Sequence, residues 1–84
     1  MKLFIFVYLL DEDIEKTKKY LGEHVTYWKR KKFDYFKNGP FADKSGGLII
    51  FSSGGYEQAE KTVVSDPLLL GNAIKQSWLK EWVV

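Results

Sequence analysis

Residues Leu3 to Leu10 read Leu-Phe-Ile-Phe-Val-Tyr-Leu-Leu, with no charged residue to interrupt them. Successive side chains of a β-strand point to opposite faces, so Leu3, Ile5, Val7 and Leu9 face one way and Phe4, Phe6, Tyr8 and Leu10 the other. Both faces are apolar, and both therefore need cover. In a chain of 84 residues a layer of helices covers one face, and the natural cover for the other is a second subunit. Size points the same way. So short a chain buries a modest share of its surface, while its fourteen aromatic residues (three Trp, five Tyr, six Phe) carry a large apolar area. The run is shorter than a bilayer span, is followed at once by Asp11-Glu12-Asp13, and lacks the small-residue cleavage site of a signal peptide. It reads as a buried strand, with no membrane partner.

Asp11-Glu12-Asp13 opens a helix, because acidic groups complement the positive end of the helix dipole. Ile14, Leu21, Val25 and Trp28 recur at helical spacing and predict its buried stripe. Lys29-Arg30-Lys31-Lys32 closes it with the charge its C-terminus favours. Gly22 costs about 1 kcal/mol against alanine inside such a helix, which asks for a packing reason. Phe33 to Phe41 predicts a second strand ending at Gly39-Pro40, and Gly47 to Ser52 a third, apolar on both faces; the turn between them makes a hairpin. After Ser52-Ser53-Gly54-Gly55, the residues Tyr56, Ala59 and Val63 line a second helix. Asp66-Pro67 then begins one more turn closed by Gly71. In the last segment, residues 72–84, Ile74, Trp78 and Trp82 fit a helix stripe and a strand face equally. The β-propensity of Trp82-Val83-Val84 and the need for a fourth strand select the strand. The predicted order is β-α-β-β-α-β, a ferredoxin-like α+β sandwich in one domain spanning residues 1–84.

A net charge of +2 is too small to imply nucleic acid or an anionic membrane. The basic run Lys29 to Lys32 reads as a solvated helix end. No cysteine is present, so there is no disulfide, thiolate nucleophile or thiolate-held metal, in keeping with a cytoplasmic protein. Neither Ser45-Gly46-Gly47 nor Ser53-Gly54-Gly55 has the lysine and spacing of a phosphate loop. One histidine and scattered carboxylates make a poor zinc site, and nothing calls for another cofactor. A haem or metal oxygenase is the distant option, since one histidine can ligate haem.

His24, the one histidine, falls in the predicted stripe of the first helix. It is either a core histidine bonded to backbone or a general acid or base, since imidazole titrates near neutral pH. Asp66 before Pro67 is a helix N-cap, or a carboxylate that orients a histidine; two oxygens allow both. Gly39-Pro40 is a strand end or the rim of a pocket. Trp78 and Trp82 read as core or interface.

Taken in order, these pieces resemble the YciI-like (YCII-related) family: an apolar first strand; a helix bearing His24 in Gly-Glu-His-Val-Thr-Tyr-Trp; Asn38-Gly39-Pro40-Phe41 at the end of the second strand; Gly46-Gly47 opening the third; Ala59-Glu60; and Ser65-Asp66-Pro67-Leu68 with Gly71 after it. The likeness covers essentially the whole chain. It implies a ferredoxin-like domain that pairs into a dimeric α+β barrel, with His24 and Asp66 as an acid–base pair at a small-molecule cleft. A family member that acts as a dehydrochlorinase makes elimination from a ring compound one precedent. Three positions depart from the pattern. Leu21 stands where many members carry arginine, which removes a cation from the cleft. Asn38 precedes Gly-Pro in place of Ser or Ala, and Leu68 follows Asp-Pro in place of an aromatic.

The expectation is a homodimeric small-molecule enzyme in which His24 moves a proton and Asp66 holds the imidazole, as a lyase, isomerase or hydrolase would require. Asn38, Gly39, Pro40, Trp28 and Leu68 would line the pocket. The alternative is a non-catalytic dimer that binds a small ligand or serves as an interaction domain, with His24 and Asp66 merely packing and capping.

Overall fold

The computed structural model describes residues 2–84. Strand β1 (Lys2–Leu10) leads into helix α1 (Ile14–Arg30), strands β2 (Phe36–Pro40) and β3 (Gly46–Ser53), helix α2 (Tyr56–Val64), the short helix α3 (Pro67–Leu70) and strand β4 (Ile74–Trp82). The four strands form one antiparallel sheet in the order β2-β3-β1-β4. This is the ferredoxin-like arrangement, with α3 as one added turn before the last strand. The final segment is a strand, as its β-propensity indicated.

Side-chain alternation along β1 decides the rest. Phe4, Phe6 and Tyr8 are buried, as are their cross-strand partners Phe51, Ile49 and Gly47 on β3. They meet Trp28 of α1 together with Ala59, Val63 and Leu68. The centre is aromatic: Trp28 stacks on Phe6, Phe33 and Phe36 at centroid distances of 6.5, 5.9 and 6.2 Å. Such packing contributes beyond area alone. Leu3, Ile5, Val7 and Leu9 take the opposite face with Leu48 and Ile50, and all six are half-buried. Trp78 and Trp82 pair with Val7 and Leu3, share that face, and are 44% and 42% exposed. Among the described residues, no helix lies on that side of the sheet.

Helix α1 starts at Asp13, whose side chain accepts from the Glu15 amide at 3.0 Å. Its buried stripe differs from the one its aliphatic residues predict. Ile14, Leu21 and Val25 are exposed (64%, 46% and 42%), and the inward positions hold His24 and Trp28. Tyr27 fixes the helix rotation by donating its hydroxyl to the Thr62 carbonyl on α2 at 2.6 Å, and Tyr20 packs across Gly71. The polar and aromatic flank is thereby turned to α2 and α3. The aliphatic flank looks out on the other side. Gly22 has nothing within 4 Å of where a Cβ would stand, so it meets no packing demand within this chain.

Strand β2 is shorter than predicted because Phe33 leaves the strand path and lies on the core beside Phe36. Gly46 and Gly47 are required by close approach. A Cβ at Gly46 would collide with the backbone of Tyr8, and one at Gly47 would stand 2.5 Å from the Tyr8 hydroxyl oxygen.

Candidate active site

Asp66 caps α3, and its placement follows from local sequence. Its Oδ1 accepts the Leu68 amide at 2.8 Å, Pro67 occupies the first helical position, and the cap residue Gly71 closes the turn. The same carboxylate is fully buried and faces α1. There His24 and Trp28, one helical turn apart, point to it together. His24 Nδ1 lies 2.9 Å from Oδ1 and 2.7 Å from Oδ2, and Trp28 Nε1 donates to Oδ2 at 2.8 Å.

Three donors, two from α1 and one from α3, therefore converge on one carboxylate. The aspartate accepts from all of them. With Nδ1 donating to Asp66, the neutral imidazole presents Nε2 as a lone pair. Nε2 faces the Tyr8 hydroxyl at 3.5 Å, the far end of hydrogen-bonding range, with the two rings edge to face. His24 is 3% exposed and Tyr8 8%. Among the described residues, no buried side-chain nitrogen or oxygen is left without a partner. Burial, and then the negative charge of Asp66, push the Tyr8 hydroxyl up to about 12. It is therefore a hydroxyl donor at neutral pH. The arrangement can hold a proton at Nδ1, accept one at Nε2 and stabilise the resulting imidazolium against Asp66.

The other expected site residues divide. Trp28 and Leu68 do join the pair, but both are buried and reach Asp66 rather than open space. Trp28 lies within the aromatic stack, which closes its faces to any ligand. Asn38, Gly39 and Pro40 form the outer edge of the sheet, on β2. By register Asn38 pairs with Ile49 and Pro40 with Gly47, so their side chains share the helix-side face with Tyr8. Gly39 has the opposite orientation. The three residues also border a groove of about 420 Å³ that runs past Tyr35, Phe41, Leu48, Ile50 and Trp82 on the uncovered face. That groove and the His24–Asp66 pair lie on opposite sides of the sheet.

Tyr8 was absent from the expected set. One signal for it existed: among Phe4, Phe6, Tyr8 and Leu10, it is the residue that carries a polar atom toward the helices. Among the described residues, no three His, Cys, Asp or Glu side chains cluster as a metal site, and no helix is long and apolar enough to cross a membrane.

No family model matches the chain, and no curated protein matches its sequence. Among solved structures, the chain is similar to 5-chloro-2-hydroxyhydroquinone dehydrochlorinase from Burkholderia phenoliruptrix AC1100 in complex with 2,5-dihydroxybenzoquinone. The TM-score is 0.79 with 16% identity, over 96% of this chain and 93% of that one. It is also similar to protein Atu4242 from Agrobacterium tumefaciens, with a TM-score of 0.49 and 10% identity over 99% and 92% of the two chains. The first likeness establishes the fold: the chain shares the α+β fold of that dehydrochlorinase.

Proposed function

We propose that this chain is a YciI-like small-molecule enzyme in which His24 takes and returns a proton and Asp66 holds the imidazole for it. The observation that carries the reading is the convergence on Asp66. A buried carboxylate fixed by α3, Trp28 and His24 sets the tautomer and the direction of one imidazole, and Nε2 is left as the working atom. The chemistry this supports is proton transfer, as in a lyase, isomerase or hydrolase. The fold neighbour is a dehydrochlorinase of 5-chloro-2-hydroxyhydroquinone in complex with 2,5-dihydroxybenzoquinone, which makes compounds of that class the first substrates to try.

The working form in this reading is a homodimer. Leu3, Ile5, Val7, Leu48, Ile50, Trp78 and Trp82, with Lys80 between the tryptophans, present a largely apolar face that no helix among the described residues covers. A second copy packed sheet to sheet would bury it and complete a barrel. The groove beside Asn38-Gly39-Pro40 would then border the interface. A second reading, a non-catalytic dimer that binds a small ligand, is favoured by the burial of His24, which is 3% exposed.

One experiment separates the two. In deuterated water, a proton must be put on and another taken off a ring carbon for the ring hydrogens of 2,5-dihydroxybenzoquinone to exchange, and proton NMR follows their loss. The enzyme reading expects exchange faster than in buffer, falling about 100- to 10,000-fold in His24→Ala. Binding without faster exchange would support the non-catalytic dimer, and exchange undiminished in His24→Ala would remove His24 from the chemistry.

A further inference from the structure

We infer that Tyr8 is the third member of the His24–Asp66 pair: its hydroxyl stands between Nε2 and an incoming ligand and carries the proton from one to the other. The inference rests on the reading of His24 as an acid–base group, and it changes which atom the ligand meets.

Nδ1 is committed to Asp66, so any proton His24 exchanges passes through Nε2. The polar atom in front of Nε2 is Tyr8 Oη at 3.5 Å, and the imidazole itself is almost closed to solvent. The position of that hydroxyl is built into the sheet. Tyr8 lies over Gly47, where a Cβ would stand 2.5 Å from Oη and 3.0 Å from the Gly39 carbonyl. The row Tyr8–Gly47–Pro40 leads to the β2 edge, where Pro40 is exposed. A ligand that comes in over this edge reaches the phenol before the imidazole. Half-exposed Leu21 and Val25 stand on the α1 flank turned away from α2 and α3.

A hydroxyl has one proton and two lone pairs, so Oη can donate to Nε2 and accept from a ligand at once. In the transfer, the ligand O–H or C–H bond breaks as a new O–H forms at Oη, and the original Oη–H bond breaks as N–H forms at Nε2. The products are the ligand anion, a neutral Tyr8 and an imidazolium against Asp66. The reverse step returns the proton, and no further reactant is consumed. The charged or titratable groups that face Tyr8 are His24 from α1 and Asp66 from the α3 cap; its same-face strand neighbours Gly47 and Ser77 carry no charge. Because the phenol keeps its proton up to about 12, Tyr8 passes a proton on as it receives one and is not a free phenolate base.

The test is exchange of 2,5-dihydroxybenzoquinone ring hydrogens in Tyr8→Phe, which keeps the ring and removes the oxygen. The expected result is exchange about 100-fold slower than the native protein, with probe affinity within about threefold and an unchanged circular dichroism spectrum. A rate within about twofold of native would overturn the relay and leave His24 acting directly. If the native protein itself gives no faster exchange than buffer, the acid–base reading falls and the relay with it. Should Tyr8→Phe fail to fold, 3-fluorotyrosine placed at position 8 decides. It keeps the hydroxyl but makes it more acidic, so the pH profile of exchange should shift, and a superimposable profile would reduce Tyr8 to packing.

Discussion

The two faces of the sheet are made from alternate residues of the same strands, yet they end differently. On the helix side, Phe4, Phe6, Phe51, Ile49 and Trp28 close a dry aromatic core, and at its end sits a polar cluster of Tyr8, His24 and Asp66 with every side-chain partner supplied. On the other side, Leu3, Ile5, Val7, Leu48 and Ile50 are only half-buried and carry two exposed tryptophans beside them. The first face is finished by its own chain, down to hydrogen bonds that cost free energy if broken. The second is mainly apolar, with Lys37, Gln76 and Lys80 set among its large side chains, and calls for cover more than for specific partner atoms. In the proposed reading, chemistry belongs to the finished face and assembly to the open one.

The largest effect should come from breaking the finished face at its centre. Asp66→Ala leaves the donors of His24, Trp28 and the Leu68 amide pointing at a void, and should cost about 3 to 5 kcal/mol in urea unfolding. A loss below about 1 kcal/mol would mean the cluster does not anchor α3 to α1.

Next in size is an alkaline effect. The Tyr8 hydroxyl ionises at about 12 in the folded protein and near 10.0 when unfolded. Between those values the unfolded chain has released the proton and the folded chain has not, so stability falls as pH rises through the window. The contribution is complete below the lower value and amounts to on the order of 2 to 3 kcal/mol. Tyr8→Phe should remove that part of the slope in unfolding measured against pH, and an unchanged slope would contradict the burial of the hydroxyl.

Gly47→Ala pushes a methyl group against Tyr8 Oη and should cost about 1 to 3 kcal/mol. It should also slow exchange of 2,5-dihydroxybenzoquinone, because the hydroxyl is displaced from Nε2. Val7→Glu, on the open face, should have the smallest effect on the subunit, about 1 kcal/mol or less at dilutions where it is a monomer. Its effect is on assembly: sedimentation should change from two chains to one of 9.8 kDa. A native chain that sediments singly would break the comparison at its other end.

The sheet and its order were legible because alternation along β1 and β3 leaves few alternatives. Asp66 could be read as a cap because Asp-Pro followed by Gly71 is a local signal. The orientation of α1 was legible only in part: His24 and Trp28 face inward, as their helical spacing suggested. Ile14, Leu21 and Val25 read as the buried stripe, but the helix turns to satisfy Tyr27 against Thr62 and to bring both His24 and Trp28 to Asp66. Those are contacts across 35 to 42 residues, which no short window of sequence contains. Tyr8 was hidden for the same reason, since its setting depends on a glycine of the adjacent strand, separated from it in sequence by α1 and β2, and on an imidazole from another layer.

The most direct measurement is the tautomer of His24, read from the two ring nitrogens by long-range proton–nitrogen NMR in the neutral ring. The structure predicts the proton on Nδ1, with Nε2 bare toward Tyr8, and redistribution between the two nitrogens in Asp66→Asn. A proton on Nε2 in the native protein would contradict the account, because the atom assigned to accept the proton would already carry one.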